Sequence, residues 1–357
     1  MDKTEKLLKE LTEARGVSGY EGEVRAVIRR YFEGLGELSQ DKLGSLVCRK
    51  AGTSVDPRVL IAGHMDEIGF MVKLITKEGF IRFTALGGWH NQVIPAHSVV
   101  IQTGKGDVLG VIGSKPPHLM AEEERKKLVD KKEMFIDIGA TSEKEVLEAG
   151  VRVGDPVVPV AQFNVLNVPQ KTYMSKAFDD RTGNALTIEV LQLLGQDHPN
   201  TVFGTATVQE EVGVRGATTG VELVNPDVAI ILEVDIAGDM PGVKPEESAV
   251  KLGGGPSLVA YDARMIPNIK LRDMVIDTAR ELNVPLQLST IEGGATDGSI
   301  IHLHKTGVPT VVLSVPTRYM HSHHTIMRRD DYDATLKLAT AVVRKLDKAT
   351  VTALTAW

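Results

Sequence analysis

The chain has 357 residues, with 41 Lys and Arg against 47 Asp and Glu, a single cysteine and only 4% aromatic residues. That length allows one large domain or two unequal ones with a sizeable core, and a lone Cys48 forms no internal disulfide. The net charge of −6, spread among interspersed Lys and Arg, gives no general attraction to nucleic acid. No apolar run approaches the roughly 18 residues of a membrane span, and the charged start Met1-Asp2-Lys3 is not a signal peptide. The composition therefore predicts a cytoplasmic globular protein.

Leu7, Leu8 and Leu11 recur at helical spacing. Ser18-Gly19-Tyr20-Glu21 reads as a capping box ahead of a helix carrying Val24, Val27, Ile28 and Phe32, ended by Gly34 and Gly36. After a polar stretch, residues 58–63 read as a buried strand. From residue 68 to 162 short β-type runs dominate, at 69–75, 80–86, 98–103, 108–112 and 134–138, with one charged excursion at 115–132. Short strands at such spacing predict a compact barrel or sandwich inserted into another domain. The last half alternates: helix 182–194, strands 201–208 and 228–234, helix 268–282, strand 308–315 and helix 331–346. That order predicts an α/β domain with a mostly parallel sheet covered on both faces. In such sheets ligands bind beyond the carboxyl ends of the strands.

Five segments with metal-type ligands fall at those ends: His64-x-Asp66, Asp179-Asp180, Glu210-Glu211, Glu233-Val234-Asp235 and His321-Ser322-His323-His324. Each has an ordinary reading. His-x-Asp is often a hydrogen-bonded surface pair, an acidic pair suits a helix N-terminus, and adjacent glutamates suit a solvated loop. Glu233 and Asp235 are different, because they share one face of a buried strand, where two carboxylates need compensation. The doublet His323-His324 reads as exposed or as supporting other ligands. Converging together, two histidines and several carboxylates match a carboxylate-rich site for divalent ions. Two ions need a bridging carboxylate, and a free glutamate beside them can move protons.

The same segments resemble the tetrahedral (TET) aminopeptidases, the glutamyl/leucyl aminopeptidase family of co-catalytic metallopeptidases whose members are often mislabelled endoglucanases. The resemblance spans nearly the whole chain. It rests on residues 63–70 (GHMDEIGF), 113–118 (GSKPPH), 177–181 (AFDDR), 209–217 (QEEVGVRGA), 294–297 (GATD) and 316–322 (PTRYMHS), in that order. It implies a phosphorylase/hydrolase-like α/β/α catalytic domain at residues 1–67 and 163–357, and an inserted β-rich, PDZ-like barrel at 68–162 used for dimerisation. It further implies two divalent ions per subunit, Zn2+ or Co2+.

By that resemblance, His64 binds one ion and Asp66 orients it, Asp179 bridges both ions with an unusual peptide geometry to Asp180, and Glu210 is general base and then acid. Glu211 and His321 complete the second ion's shell. Glu233 aligns with the first ion's remaining ligand, usually an aspartate, so Asp235 is the alternative. Thr296 and Asp297 resemble a substrate-side loop, with a structural turn as the other reading. Gly87-Gly88-Trp89-His90 either shapes a contact or substrate opening or is a turn with a packed Trp. The implied activity is hydrolysis of N-terminal residues from peptides by a homododecamer built from dimers, with no nucleic-acid or membrane partner. Rival readings are a deacylase or carboxypeptidase on the same scaffold, for which Arg181, Arg215 and Arg318 are candidate carboxylate partners, a glycoside hydrolase using paired carboxylates, and an inactive shell protein.

Overall fold

The computed structural model describes residues 1–356. Four strands at its centre run parallel, in the spatial order Thr201–Thr207, Arg58–His64, Val228–Ile236 and Thr310–Arg318. Their side chains alternate between two cores, as the period of two requires. Val59, Ile61, Val228, Ile230, Val311 and Leu313 enter the larger core. Leu60, Ala62, Ala229, Ile231 and Val312 enter the smaller one. Helices Lys3–Glu13, Gly22–Phe32, Phe178–Leu194, Ile269–Glu281 and Arg329–Lys345 cover the first face, whereas Arg215–Val224 and Gly298–Ile301 cover the second. Burial on both faces is why these strands read as continuous apolar runs.

The expected mostly parallel sheet holds for that centre and for the outlying pair Ser257–Asp262 and Gln287–Ile291, and the remaining pairings are antiparallel. Leu46–Ala51 and then Glu37–Gln40 add antiparallel at one edge. At the other, Thr310–Arg318 is followed antiparallel by Thr325–Arg328, Thr172–Ser175 and Asn164–Leu166. Three of these pairs, Glu37–Gln40 with Leu46–Ala51, Asn164–Leu166 with Thr172–Ser175 and Thr310–Arg318 with Thr325–Arg328, are joined by short connections, which favour antiparallel pairing because a parallel pair needs a long crossover. The expected capping box at Ser18–Glu21 is not formed either. The N-cap residue Glu21 makes no side-chain cap hydrogen bond to its helix; its carboxylate accepts from the N–H groups of Gly19 and Gln209. The box that does form is one helix earlier, between Asp2 and Glu5.

The inserted block closes into a barrel of six strands: Gly69–Ile75, Ile81–Leu86, Phe135–Asp137, Gly106–Gly113, Ser98–Thr103 and Pro156–Pro159. Phe70, Val72, Phe83, Ile101 and Ile136 fill its interior, apart from the two sheet cores. The closing strand escaped the sequence reading because a proline sits at each of its ends. The charged excursion holds short helical turns at Pro117–Leu119, Glu122–Arg125 and Lys131–Glu133 and is largely exposed.

Two contacts fix the helix Phe178–Leu194 against the sheet. A Cβ on Gly183 would lie 2.1 Å from the Leu232 carbonyl oxygen and 2.3 Å from an Asp180 carboxylate oxygen. Gly183→Ala is therefore expected to cost about 3 kcal/mol or more, at the upper end for overpacking, read as a lowered urea midpoint. Arg181, fully buried, donates to the carbonyls of Leu11, Ala14 and Gly16 and lies 3.4 Å from Glu67, whose carboxylate also takes the buried Lys176 ammonium at 2.6 Å. This network ties the N-terminal segment to the helix start.

Candidate metal centre

Residues from five separate segments meet beyond the carboxyl ends of the central strands. His64 is the last residue of its strand and Glu233 lies near the end of the neighbouring one. Both continue the alternation of Leu60, Ala62, Ala229 and Ile231, so they project on the side of the smaller core. Asp179 opens the helix Phe178–Leu194, where Asp179 and Asp180 have non-helical dihedrals and a cis peptide joins them. That agrees with the unusual peptide expected there. Asp180 itself turns away, accepting from the N–H groups of His64 and Gly183 at 3.1 and 2.9 Å.

The arrangement centres on Asp179. His64 Nε2 lies 3.0 Å from its Oδ1, and His321 Nε2 lies 3.2 Å from its Oδ2. Two groups of three converging ligands result, His64–Asp179–Glu233 and Asp179–Glu211–His321, with Asp179 in both. The ligand atoms of each group lie within 4.8 Å of one another. Asp235 belongs to neither; it accepts from the Ser257 hydroxyl at 2.7 Å. Glu210 also stands outside both groups, with a carboxylate oxygen 3.8 Å from His64 Nε2.

Each histidine is aimed by a carbonyl. Nδ1 of His64 is 2.9 Å from the main-chain oxygen of Asp66, and Nδ1 of His321 is 2.8 Å from that of Gly88. A carbonyl only accepts, so Nδ1 carries a proton and Nε2 is the nitrogen turned to the site, where it could ligate an ion once deprotonated. The Asp66 carboxylate lies farther from His64, at 3.5 Å. It accepts instead from the main-chain N–H groups of Glu210 and Glu211, at 2.8 and 3.1 Å, and from the Ser18 hydroxyl. Asp66 thus ties the Glu210–Glu211 turn and the Ser18 loop to the segment that carries His64.

Backbone strain gathers here. Ala177, Gln209, Val214, Tyr319 and His321, none of them glycine, have φ between 54° and 63°. Such residues persist where the surroundings over-determine them, characteristically around functional sites.

Without cations the clustered acids of the site repel one another. Burial pushes Glu210 and Glu233 well above the usual carboxylate range, with nearby acids adding to it. Burial beside Asp179 pushes Glu211 up to about 8. His321 is raised to about 10: burial opposes this, but Asp179 and Glu211 outweigh it. Cations would relieve this repulsion, so the donor set fits divalent ions. A carboxyl that holds its proton more tightly when folded loses stability as pH rises from about 4.5 to about 8. A histidine raised to about 10 acts in the same direction above 6.5. Metal-stripped protein is therefore expected to melt several degrees lower at pH 9 than at pH 6, with saturating Zn2+ removing most of the slope in calorimetry. A flat metal-free profile would contradict the clustering.

The site opens into a cavity of about 630 Å3. His64, Asp179, Glu210, Glu211, Glu233, Asp235 and His321 line it together with Val214, Ile236, Ile291 and Met320. Thr296 lies in its wall, but Asp297 does not: its carboxylate is buried, taking the Thr207 hydroxyl. None of the three arginines that motivated carboxylate recognition lines the cavity. Arg181 is buried beneath the site, Arg215 bonds Gln209 and Arg318 pairs with Asp239. Arg264, not singled out in the sequence, does line it. Ser18 and the Gly88 carbonyl were also missed, because their partners lie 48 and 233 residues away.

A family model described as M42 glutamyl aminopeptidase matches residues 44–338. The chain belongs to that family. A second model, AMPT, matches residues 2–28. The chain is 42% identical to the FrvX protein of Escherichia coli (strain K12), over 93% of this chain and 92% of that one. The fold matches a TET aminopeptidase from a marine sediment archaeon, Thaumarchaeota archaeon, at a TM-score of 0.96 and 49% identity, covering 99% of both chains. It also matches the Pyrococcus horikoshii TET1 peptidase, described as able to assemble into a tetrahedron or a large octahedral shell, at a TM-score of 0.87 and 32% identity over 96% of this chain and all of that one. The M42 family is one of metallopeptidases, consistent with the two ligand groups.

Proposed function

We propose that this protein is a metal-dependent aminopeptidase that removes N-terminal residues from peptides. The observation that carries this reading is the placement of Asp179, whose two carboxylate oxygens face two differently aimed histidines. His64, Asp179 and Glu233 would hold one divalent ion, and Asp179, Glu211 and His321 the second; Zn2+ and Co2+ both suit these donors. Bound there, the ions would polarise the scissile carbonyl and acidify a water.

The protein's own groups supply the rest. The acids lining the cavity suit a substrate ammonium better than a carboxylate. Glu210, held by Asp66 through its main chain and outside both ligand groups, takes a proton from the attacking water. The oxygen bonds to the carbonyl carbon, the carbon–nitrogen bond breaks, and Glu210 returns the proton to the leaving amine. Asp66 orients His64 through its carbonyl and the Glu210–Glu211 turn through its carboxylate. Thr296 contacts the substrate from the wall, with Asp297 supporting from behind.

We further assign residues 1–67 and 163–357 to the catalytic domain and 68–162 to an inserted domain for self-association. Assembly into a dodecamer from dimers draws support from the P. horikoshii relative. A cytoplasmic setting suits peptide turnover; among the described residues no helix is long and apolar enough to cross a membrane.

A panel of aminoacyl amides and their N-acetylated forms tests the reading. Free-amine substrates are expected to be hydrolysed at least about 100-fold faster, equivalent to about 2.7 kcal/mol, and chelation is expected to abolish the activity. Equal hydrolysis of both forms would favour the deacylase.

A further inference from the structure

His321 stands in the α/β part of the chain, yet the contact that aims it comes from the barrel. After the strand Ile81–Leu86 the barrel extends the turn Gly87-Gly88-Trp89, and the Gly88 carbonyl receives the His321 Nδ1–H at 2.8 Å. The approach is close enough to require glycine twice. A Cβ on Gly88 would sit 2.9 Å from His321 Nδ1, and one on Gly87 2.8 Å from a Glu211 carboxylate oxygen. Gly87 also has φ of +80°, a conformation that favours glycine.

Two aromatic contacts hold this turn. Trp89 is buried, donates its indole N–H to the Gly69 carbonyl and stacks on Phe70, so it is anchored inside the barrel. On its other side it meets His323, two residues beyond His321, with ring centroids 5.1 Å apart. His97, at the entry to another barrel strand, stacks on the same His323 ring at 3.6 Å and 15°. His323 is buried and neither of its ring nitrogens has a hydrogen-bond partner. A buried imidazole without polar partners contributes here as a packing surface, clamped between two barrel side chains.

We propose that the barrel is a positioning element of the second metal site: the Trp89–His323–His97 clamp fixes the Gly88 carbonyl against His321 and so aims its Nε2 at Asp179 and Glu211. This rests on the reading of His321 as a ligand. It goes beyond it by making the site dependent on a segment that contributes no ligand of its own.

The test is Zn2+ titration of the metal-stripped full-length protein, with melting temperature and circular dichroism in parallel. Outer contacts to metal-binding histidines typically change affinity by about 10- to 100-fold. His97→Ala is expected to weaken one of the two ions by about 10-fold or more, leave the other within twofold and preserve the fold. His97→Phe, which keeps the stack, is expected to restore it. Gly88→Ala is expected to weaken the same ion. Loss of both affinities together with a collapsed melting transition for His97→Ala would reduce the clamp to general packing and overturn the proposal. So would unchanged affinities in His97→Ala while His321→Ala removes one ion, which leaves the ligand reading standing. If His321→Ala retains both ions, the ligand reading fails and the proposal fails with it.

Discussion

Replacing Glu210 by Gln is expected to lower kcat by about 10^3-fold while the protein still binds two ions. General acid–base groups contribute about 10^2- to 10^4-fold, and Glu210 acts twice in the proposed cycle. Glutamine keeps the shape of the side chain and leaves untouched the main-chain N–H that Asp66 accepts. Glu210 lies outside both groups of converging ligands, so ion stoichiometry should not change. Steady-state kinetics on an aminoacyl amide, paired with metal analysis after dialysis, separates the two quantities. A variant that keeps more than about a tenth of the wild-type kcat would move the proton-transfer role elsewhere.

Asp179→Asn is expected to weaken both ions together, each by about 100-fold or more, which is about 2.7 kcal/mol per site. The substitution removes the charge shared by both ligand groups and leaves one carbonyl oxygen for two positions. Glu233→Gln and Glu211→Gln, in contrast, each belong to one group and should weaken one ion apiece. The pattern across the three variants matters more than any single value. One ion retained at wild-type affinity in Asp179→Asn would show that Asp179 does not bridge.

The parts of this fold that were legible in the sequence are those whose residues answer to local physics. The strands at 58–64 and 228–236 are buried on both faces and read as apolar runs; the helix Ile269–Glu281 falls inside the expected 268–282, with Asn268 capping it by accepting from Leu271 N–H. The segments that converge at the candidate site stood out because carboxylates and histidines at buried strand ends need compensation. The illegible parts depend on distant partners. Leu46, Val47 and Cys48 are fully buried, yet nothing in their short stretch says that the strand Thr201–Thr207 lies beside them. Ser18 looked like a cap because Glu21 follows it at the right spacing, and only the folded chain shows Ser18 reaching Asp66. His323 was expected to be exposed or supporting; it is buried under His97, a barrel residue 226 positions earlier in the sequence.

The ligands run from residue 64 to residue 321, and the barrel is made between the first and the second of them. A chain emerging from the ribosome would therefore carry its first histidine and a finished barrel long before the last histidine exists. No partial product of synthesis, and no fragment cut before residue 321, can hold the second ion by the proposed ligands. Under the proposed function, peptide cleavage would thus switch on only after residue 321 has been made, a safeguard that follows from the order of the segments.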